Sequence, residues 1–249
     1  MDDDELLATL HAAADAIRAA LDSLADWGLA GTRPGQYHSD LAADTAARAV
    51  LSEAGLGILS EETGLHDADR DLIAVLDPVD GSTNASRGIP WFATSICVLD
   101  ADGPRAALVV NQASGRRYEA VRGKGARCDG VVIAPSAATA LSASLIGLSG
   151  YPPHHLGFRQ FRSLGAAALD LCAVASGLLD GYVDCTPGGQ HGSWDYLGGM
   201  LVCTEAGAVV TDAFDRDLVT REPAERRCPT AAATPALLAE LKAARTTFP

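Results

Sequence analysis

The sequence predicts a mixed chain, with an α+β first half and an α/β second half. Three observations carry that reading. Two stretches within residues 4–53 space their apolar side chains as helices do. Apolar, partly β-branched runs of strand length then follow one another up to residue 149. Beyond residue 150 helix and strand signals alternate, as they do in layered α/β folds.

Leu6, Leu7, Leu10, Ala13, Ala14, Ile17, Leu21 and Leu24 fall on one helical face over residues 4–26, with acidic residues in the first turn. Pro34-Gly35 breaks the chain. A second helix is expected from Asp40 to Glu53, closed by Gly55, with GLGIL as a short buried strand after it. DLIAVLD (71–77) is a strand ended by Pro78 and Gly81, and ATSICVL (93–99) is another. AALVVNQ and RRYEAVR flank Ser114-Gly115 as a hairpin, and ASLIGLS (143–149) is a further strand. The first half is therefore expected as two helices on a largely antiparallel sheet.

Gly150-Tyr151-Pro152-Pro153 marks the expected boundary between units 1–150 and 151–249. In the second unit, Ser163 can cap a helix running through Ser176, with Gly177 past its end. GYVDC reads as a strand. Ser193 can cap a helix through Glu205, stopped by Gly207, and AVVTD follows as a strand. Thr234-Pro235 opens a terminal helix, where proline's missing N–H costs nothing.

Composition narrows the function classes. The chain has 249 residues, 48% hydrophobic and 20% charged, as soluble globular proteins do. Its net charge of −13, with only isolated basic pairs at Arg116-Arg117 and Arg226-Arg227, argues against a nucleic-acid partner. The acidity suits cation binding and plain solubility alike. Six cysteines lack any CxxC spacing and read as small buried hydrophobes of a reducing compartment. The N-terminal MDDDELL has no signal-peptide character, and no apolar run approaches the ~20 residues of a membrane span. A cytoplasmic protein is expected.

The chemistry concentrates in Asp77-Pro78-Val79-Asp80-Gly81-Ser82-Thr83-Asn84. A strand delivers Asp77 to its end, Pro78 bends the chain, and Asp80 comes round three residues later. Two carboxylates beside the Val79 carbonyl make a hard-oxygen set of the kind Mg²⁺ prefers. The following Gly81-Ser82-Thr83 offers backbone N–H groups to an anion such as phosphate. The same octapeptide is also good turn chemistry. Ser60-Glu61-Glu62-Thr63 stands at another strand end, and Ser193-Trp194-Asp195 opens a helix; surface acids and a helix-dipole partner are the alternative readings.

In order and spacing, these segments resemble the inositol monophosphatase superfamily. DPVDGSTN is similar to its DPIDGTTN motif, and SEET, 16 residues upstream of Asp77, to GEES. WDYLGGMLVCTEAGAVVTD is similar to WDxAAGxxLxxEAGGxxxD. Arg122-Gly123-Lys124-Gly125-Ala126 looks like its GxGA hairpin, and Arg162-Ser163-Leu164-Gly165 like its R-S-x-G segment. The resemblance runs from about residue 5 to 235 and implies a layered α-β-α-β-α sandwich. It implies a metal-dependent, Li⁺-sensitive phosphatase acting on a small phosphorylated metabolite, with two or three Mg²⁺ per site and a homodimeric assembly.

By position, the resemblance makes Glu61, Asp77, Asp80, Asp195 and the Val79 carbonyl the metal ligands. Gly81 and Ser82 would hold phosphate. Ser82, paired with Asp44, would help Glu61 activate water, and Glu62 would stand behind or bind a further ion. Gly165, Ala167 and Asp184 would meet the substrate, with His154 and His155 as a second candidate wall. The family's VTxxD pattern is altered: Asp40-Leu41-Ala42-Ala43-Asp44 has Leu41 where threonine is usual. An inositol phosphate-like polyol phosphate is the first substrate expected. Histidinol phosphate, a 3′-phosphoadenosine nucleotide and fructose 1,6-bisphosphate are alternatives, and Arg159 and Arg162 would suit a second phosphate. A catalytically silent metal-binding homologue is the reading from another class.

Overall fold

Strands of the first half bury both faces, and this dictates the layering. In β3 (Ile73–Asp80), Ile73 and Val75 face one core while Ala74 and Leu76 face another. β4 (Ala93–Asp100) divides Cys97 and Leu99 from Ile96 and Val98 in the same way. A strand alternates its side chains between faces, so a continuous apolar run needs cover on both sides. The computed structural model describes residues 1–249. In it, α1 (Asp3–Asp22) and α2 (His38–Glu53) cover one face. The other is covered by α4 (Ala167–Ala175) and α5 (Ser193–Ala206).

The eight-stranded sheet begins with β2 (Gly64–His66), β1 (Gly57–Ser60), β3 and β4. It continues through β5 (Gly103–Asn111), β6 (Arg117–Val121), β7 (Gly125–Cys128) and β8 (Val131–Val132). Only the β1–β3 pair is parallel. The expected hairpin is β5–β6, turning at 112–116. A five-stranded sheet packs beyond the helices in the order β10 (Gln160–Arg162), β9 (Leu145–Ser149), β11 (Gly181–Asp184), β13 (Pro229–Ala232), β12 (Val209–Asp212). The terminal α6 (Pro235–Arg245) closes its outer face through Leu237 and Leu241, capped by Thr234 as expected. The result is the α-β-α-β-α sandwich. β9, read from the sequence as part of the first half, is a strand of the second sheet, because it pairs in parallel with β10 and β11. No helix is long and apolar enough to cross a membrane.

Ser163 does not cap α4. Residues 160–162 form β10, and the helix starts only at Ala167, after Ala166, which has no capping side chain. Its leading amides bond instead to Asp80 of the other sheet: Ala167 N–H and Ala168 N–H donate to its carboxylate at 3.2 and 2.7 Å. The last turn of α5 is fastened similarly. Glu205 accepts the N–H groups of Gly123 and Gly125 at 2.8 and 2.9 Å, which explains why that glutamate and that glycine hairpin occur together.

α4 and α5 approach closely because α5 carries Gly198-Gly199. A Cβ on Gly199 would lie 2.9 Å from the Ala168 carbonyl and 2.6 Å from Leu171 Cβ. Gly199→Val is expected to lower stability by at least about 2 kcal/mol through overpacking, read as a lower midpoint in urea unfolding.

Candidate active site

Because β1 and β3 are parallel, their C-terminal ends meet at one edge of the large sheet. Glu61 follows β1 directly, and Asp77 and Asp80 lie in the last residues of β3. The β3–β4 register breaks between Asp77 and Asp80, where Pro78 offers no N–H to the ladder. Thr94 Oγ1 takes up the Pro78 carbonyl at 2.9 Å, and Asp77 accepts the Val79 N–H at 3.0 Å. α5 starts against this edge with Asp195 in its first turn. One carboxylate oxygen each from Glu61, Asp77 and Asp195 lies within 4.8 Å of the other two.

Gly81 then enters α3 (Ser82–Ser86) with φ +86°, and a Cβ there would come within 2.9 Å of the Gly165 carbonyl. Only glycine fits this left-handed, crowded position. The first amides of α3 have no intrahelical acceptor. Asn84 braces the turn, donating at 2.7 Å to the carbonyls of both Trp91 and Leu164.

Burial and mutual repulsion define the electrostatics. Burial, with the charges of Asp195, Glu62, Asp40 and Asp80, pushes Glu61 up to about 8. Asp77, 1% exposed, is driven well above the usual carboxylate range by burial and by Glu61, Asp80 and Asp195. Burial and Asp195 raise Asp80 to about 7 against the pull of the Ala168 amide, His191 and the Ala167 amide. Burial also lifts Asp40, aided by Glu62, to about 6. Such a set asks for cationic charge. Its donors are hard carboxylate oxygens, which fit a divalent ion of the Mg²⁺ type rather than a soft metal. The nearby His191 is engaged elsewhere: Nδ1 meets Asp195 Oδ2 at 3.3 Å, and Nε2 meets Ser149 Oγ and Tyr182 OH, each at 3.2 Å. Burial opposes its charge, yet Asp195, Asp184 and Asp80 outweigh it and hold its pKa up to about 9.

A cavity of about 500 Å³ opens over this edge, with Asp40, Glu61, Ser82 and Trp194 in its wall. Asp44, expected beside Ser82, faces elsewhere. It accepts the Ser60 hydroxyl at 2.5 Å and lies 3.5 Å from Arg48. The α2 carboxylate that shares the cavity with Ser82 is Asp40, one turn earlier, which sequence reasoning passed over. Glu62 is paired with Arg33 at 2.7 Å and accepts a hydrogen bond from the Gln36 amide, both through Oε2.

The three expected substrate contacts are occupied structurally. Gly165 packs over Gly81 and Asn84, and Ala167 holds Asp80. Asp184 is 0% exposed, with Oδ1 on the Thr186 amide and 4.0 Å from His191. His154 and His155 pack on Phe248 and Phe158, outside the cavity. Arg159 and Arg162 are exposed beside and on β10, also outside it.

The model of the inositol monophosphatase family matches residues 38–246, which takes in every acidic residue of this edge. The chain belongs to that family. Fructose-1,6-bisphosphatase of Pyrococcus furiosus is 33% identical over 172 residues, covering 68% of this chain and 66% of that protein. Fructose-1,6-bisphosphatase/inositol-1-monophosphatase of Archaeoglobus fulgidus is 33% identical over 177 residues, 70% of this chain and 69% of that one. The aligned segments thus span about two thirds of these relatives. A solved structure from Pyrococcus horikoshii, described as similar to inositol-1-monophosphatase, superposes with a TM-score of 0.83 at 26% identity, over 97% of this chain and 96% of that one. As a member of the inositol monophosphatase family, the chain is a phosphatase, a hydrolase of phosphoric monoesters.

The raised acids predict how the metal-free protein responds to pH. Asp40, Glu61 and Asp80 hold protons more tightly folded than unfolded, so their contribution is fully present in acid and is lost as pH rises through about 6 to 8, and the raised Asp77 acts in the same direction. His191, also raised, adds stability that is lost towards about 9, in the same direction. The melting temperature of EDTA-treated protein should fall over this range, and Mg²⁺ should raise it more at the alkaline end. Differential scanning calorimetry at several pH values reads both.

Proposed function

We propose that this phosphatase uses Mg²⁺ to hydrolyse a sugar- or polyol-type phosphate by direct attack of water. The observation that supports the reading most is the convergence of Glu61 and Asp77, from the ends of two parallel strands, with Asp195 of the first turn of α5, beside the Gly81-Ser82 turn. Those three carboxylates, with Asp80 and the Val79 carbonyl, would hold two or three ions. Bound Mg²⁺ would supply Lewis acidity, making water a better nucleophile at neutral pH and offsetting phosphoryl charge. The amides of Gly81 and Ser82 would fix phosphate oxygens in line for attack.

The chain's own proton acceptors fit the same scheme. Asp40 and Glu61 share the cavity wall with the Ser82 hydroxyl, and their pKa values of about 6 and about 8 lie near working pH. We assign to Asp40 the water-positioning role that the sequence suggested for Asp44. Water oxygen bonds to phosphorus as one of its protons passes to Asp40 or Glu61, the ester P–O bond breaks, and the departing alkoxide takes up that proton. The α4 amides bind one oxygen of Asp80 each and so fix the orientation of its carboxylate.

Phosphate release from a panel of sugar and polyol phosphates, including inositol 1-phosphate, should require Mg²⁺ and stop with EDTA; equal release in EDTA would refute the metal assignment. Asp77→Asn should lower kcat/KM at least about 100-fold with an unchanged circular dichroism spectrum. Asp40→Asn should lower kcat by about 100-fold. Asp44→Asn should instead lower Tm, leaving kcat within about threefold, since it removes the buried charge that pairs with Arg48.

A further inference from the structure

Arg226 is the basic side chain in the cavity wall that has no partner of opposite charge. Arg33, on the same wall, is neutralised by Glu62. The adjacent Arg227 is consumed too, bound to Glu225 at 2.5 Å and to the Asp217 carbonyl at 2.6 Å. Arg226 uses only Nη1, which donates to the carbonyls of Pro223 and Glu225 at 2.8 Å each. Its Nε and Nη2 make no hydrogen bond within the chain. No carboxylate of the acidic wall comes within ion-pair distance of it.

The side chain is nevertheless held in place. Its guanidinium carbon lies 5.2 Å from the centroid of the Trp194 ring. Stacking of this kind fixes a guanidinium while leaving its in-plane donors idle. Trp194 immediately precedes Asp195, so the stack sets a cation beside the acidic triad on a shared support. A phosphomonoester seated by its scissile phosphate at the Gly81-Ser82 turn would lay its carbon skeleton along Trp194 towards those donors.

We propose that Arg226 recognises a second anionic group, so that the preferred substrate is a phosphomonoester also bearing another phosphate or a carboxylate. This rests on the phosphatase reading above and narrows its substrate class. A planar guanidinium matches the oxygens of either group with paired hydrogen bonds. A neutral polyol monophosphate leaves those donors unused, and a phosphoester with an amine brings a like charge to them. Arg226 is a recognition residue and takes no part in bond breaking.

The test compares intact enzyme with Mg²⁺, as wild type, Arg226→Gln and Arg226→Lys, on two substrate pairs. Fructose 1-phosphate against fructose 1,6-bisphosphate adds a phosphate; glycerol 3-phosphate against 3-phosphoglycerate adds a carboxylate. Wild type is expected to favour the doubly anionic member of one pair by about tenfold or more in kcat/KM, and that pair names the group. Arg226→Gln should bring this ratio to about one, chiefly through KM, and Arg226→Lys should retain part of it. A wild-type ratio near one in both pairs overturns the proposal, as does a Gln variant that slows both members equally. If wild type releases phosphate from the singly anionic members, the phosphatase reading survives that failure. Release from no phosphomonoester, p-nitrophenyl phosphate included, removes both readings.

Discussion

The Asp80 carboxylate joins the large sheet to the helical layer behind it, and most of the site's geometry depends on that joint. α4 is built largely of alanine and other small apolar residues, and Ala166 offers no cap. Its first amides would be buried without acceptors, which costs a full desolvation penalty for each. Asp80 supplies both acceptors from across the layer boundary. Asn84 fixes the same junction by binding carbonyls on either side of it, and Gly81 permits the close approach. The turn that carries the anion-binding amides is therefore positioned by the fold's own packing and needs no ligand to shape it.

This arrangement has an electrostatic consequence. Helix α4 presents its positive end to Asp80, which favours the charged carboxylate, while burial and Asp195 oppose it. The balance leaves Asp80 at about 7 and Glu61 at about 8, with Asp77 also driven upward. Repulsion is relieved only by protons or by cations. The protein without metal is thus expected to sit below its attainable stability at neutral pH, and metal binding and folding are linked through the same few oxygens.

Much of this was legible in the sequence, and the reasons are local. Apolar runs with buried alternation marked β3 and β4, and Thr234-Pro235 marked α6. The acidic residues at strand ends were legible because Pro78 and Gly81 punctuate them. What failed were inferences about long-range partners. Ser163 has the chemistry of a cap, but a carboxylate 83 residues earlier does the work. Asp184 ends a strand, as an exposed residue would, yet the turn at 185–189 and α6 bury it. The choice between Asp40 and Asp44 was open to a length argument. α2 and β1 run in opposite directions across a short turn, with a rise of about 1.5 Å per helical residue and about 3.3 Å per strand residue. From that turn Asp44 comes level with the end of β1, where it meets Ser60, and Asp40 lies one turn further out, over the cavity.

Pairing also separates acids that do structural work from those left for chemistry. Asp44 is answered by Ser60 and Arg48, Glu62 by Arg33 and Gln36, and Asp212 by Arg216. These are finished interactions, each satisfied within the chain. Glu61 and Asp77 have no cationic side chain beside them, and Asp40 has only the more distant Arg33. Asp195 has His191, whose ring is itself pinned by Tyr182 and Ser149 and so orients one oxygen while leaving the other free. The basic side chains near the cavity obey the same division, with Arg33 and Arg227 spent on glutamates and Arg226 left with idle donors. A cavity wall that leaves both signs uncancelled suits a ligand that carries both: cations for the acids and anionic oxygens for the guanidinium.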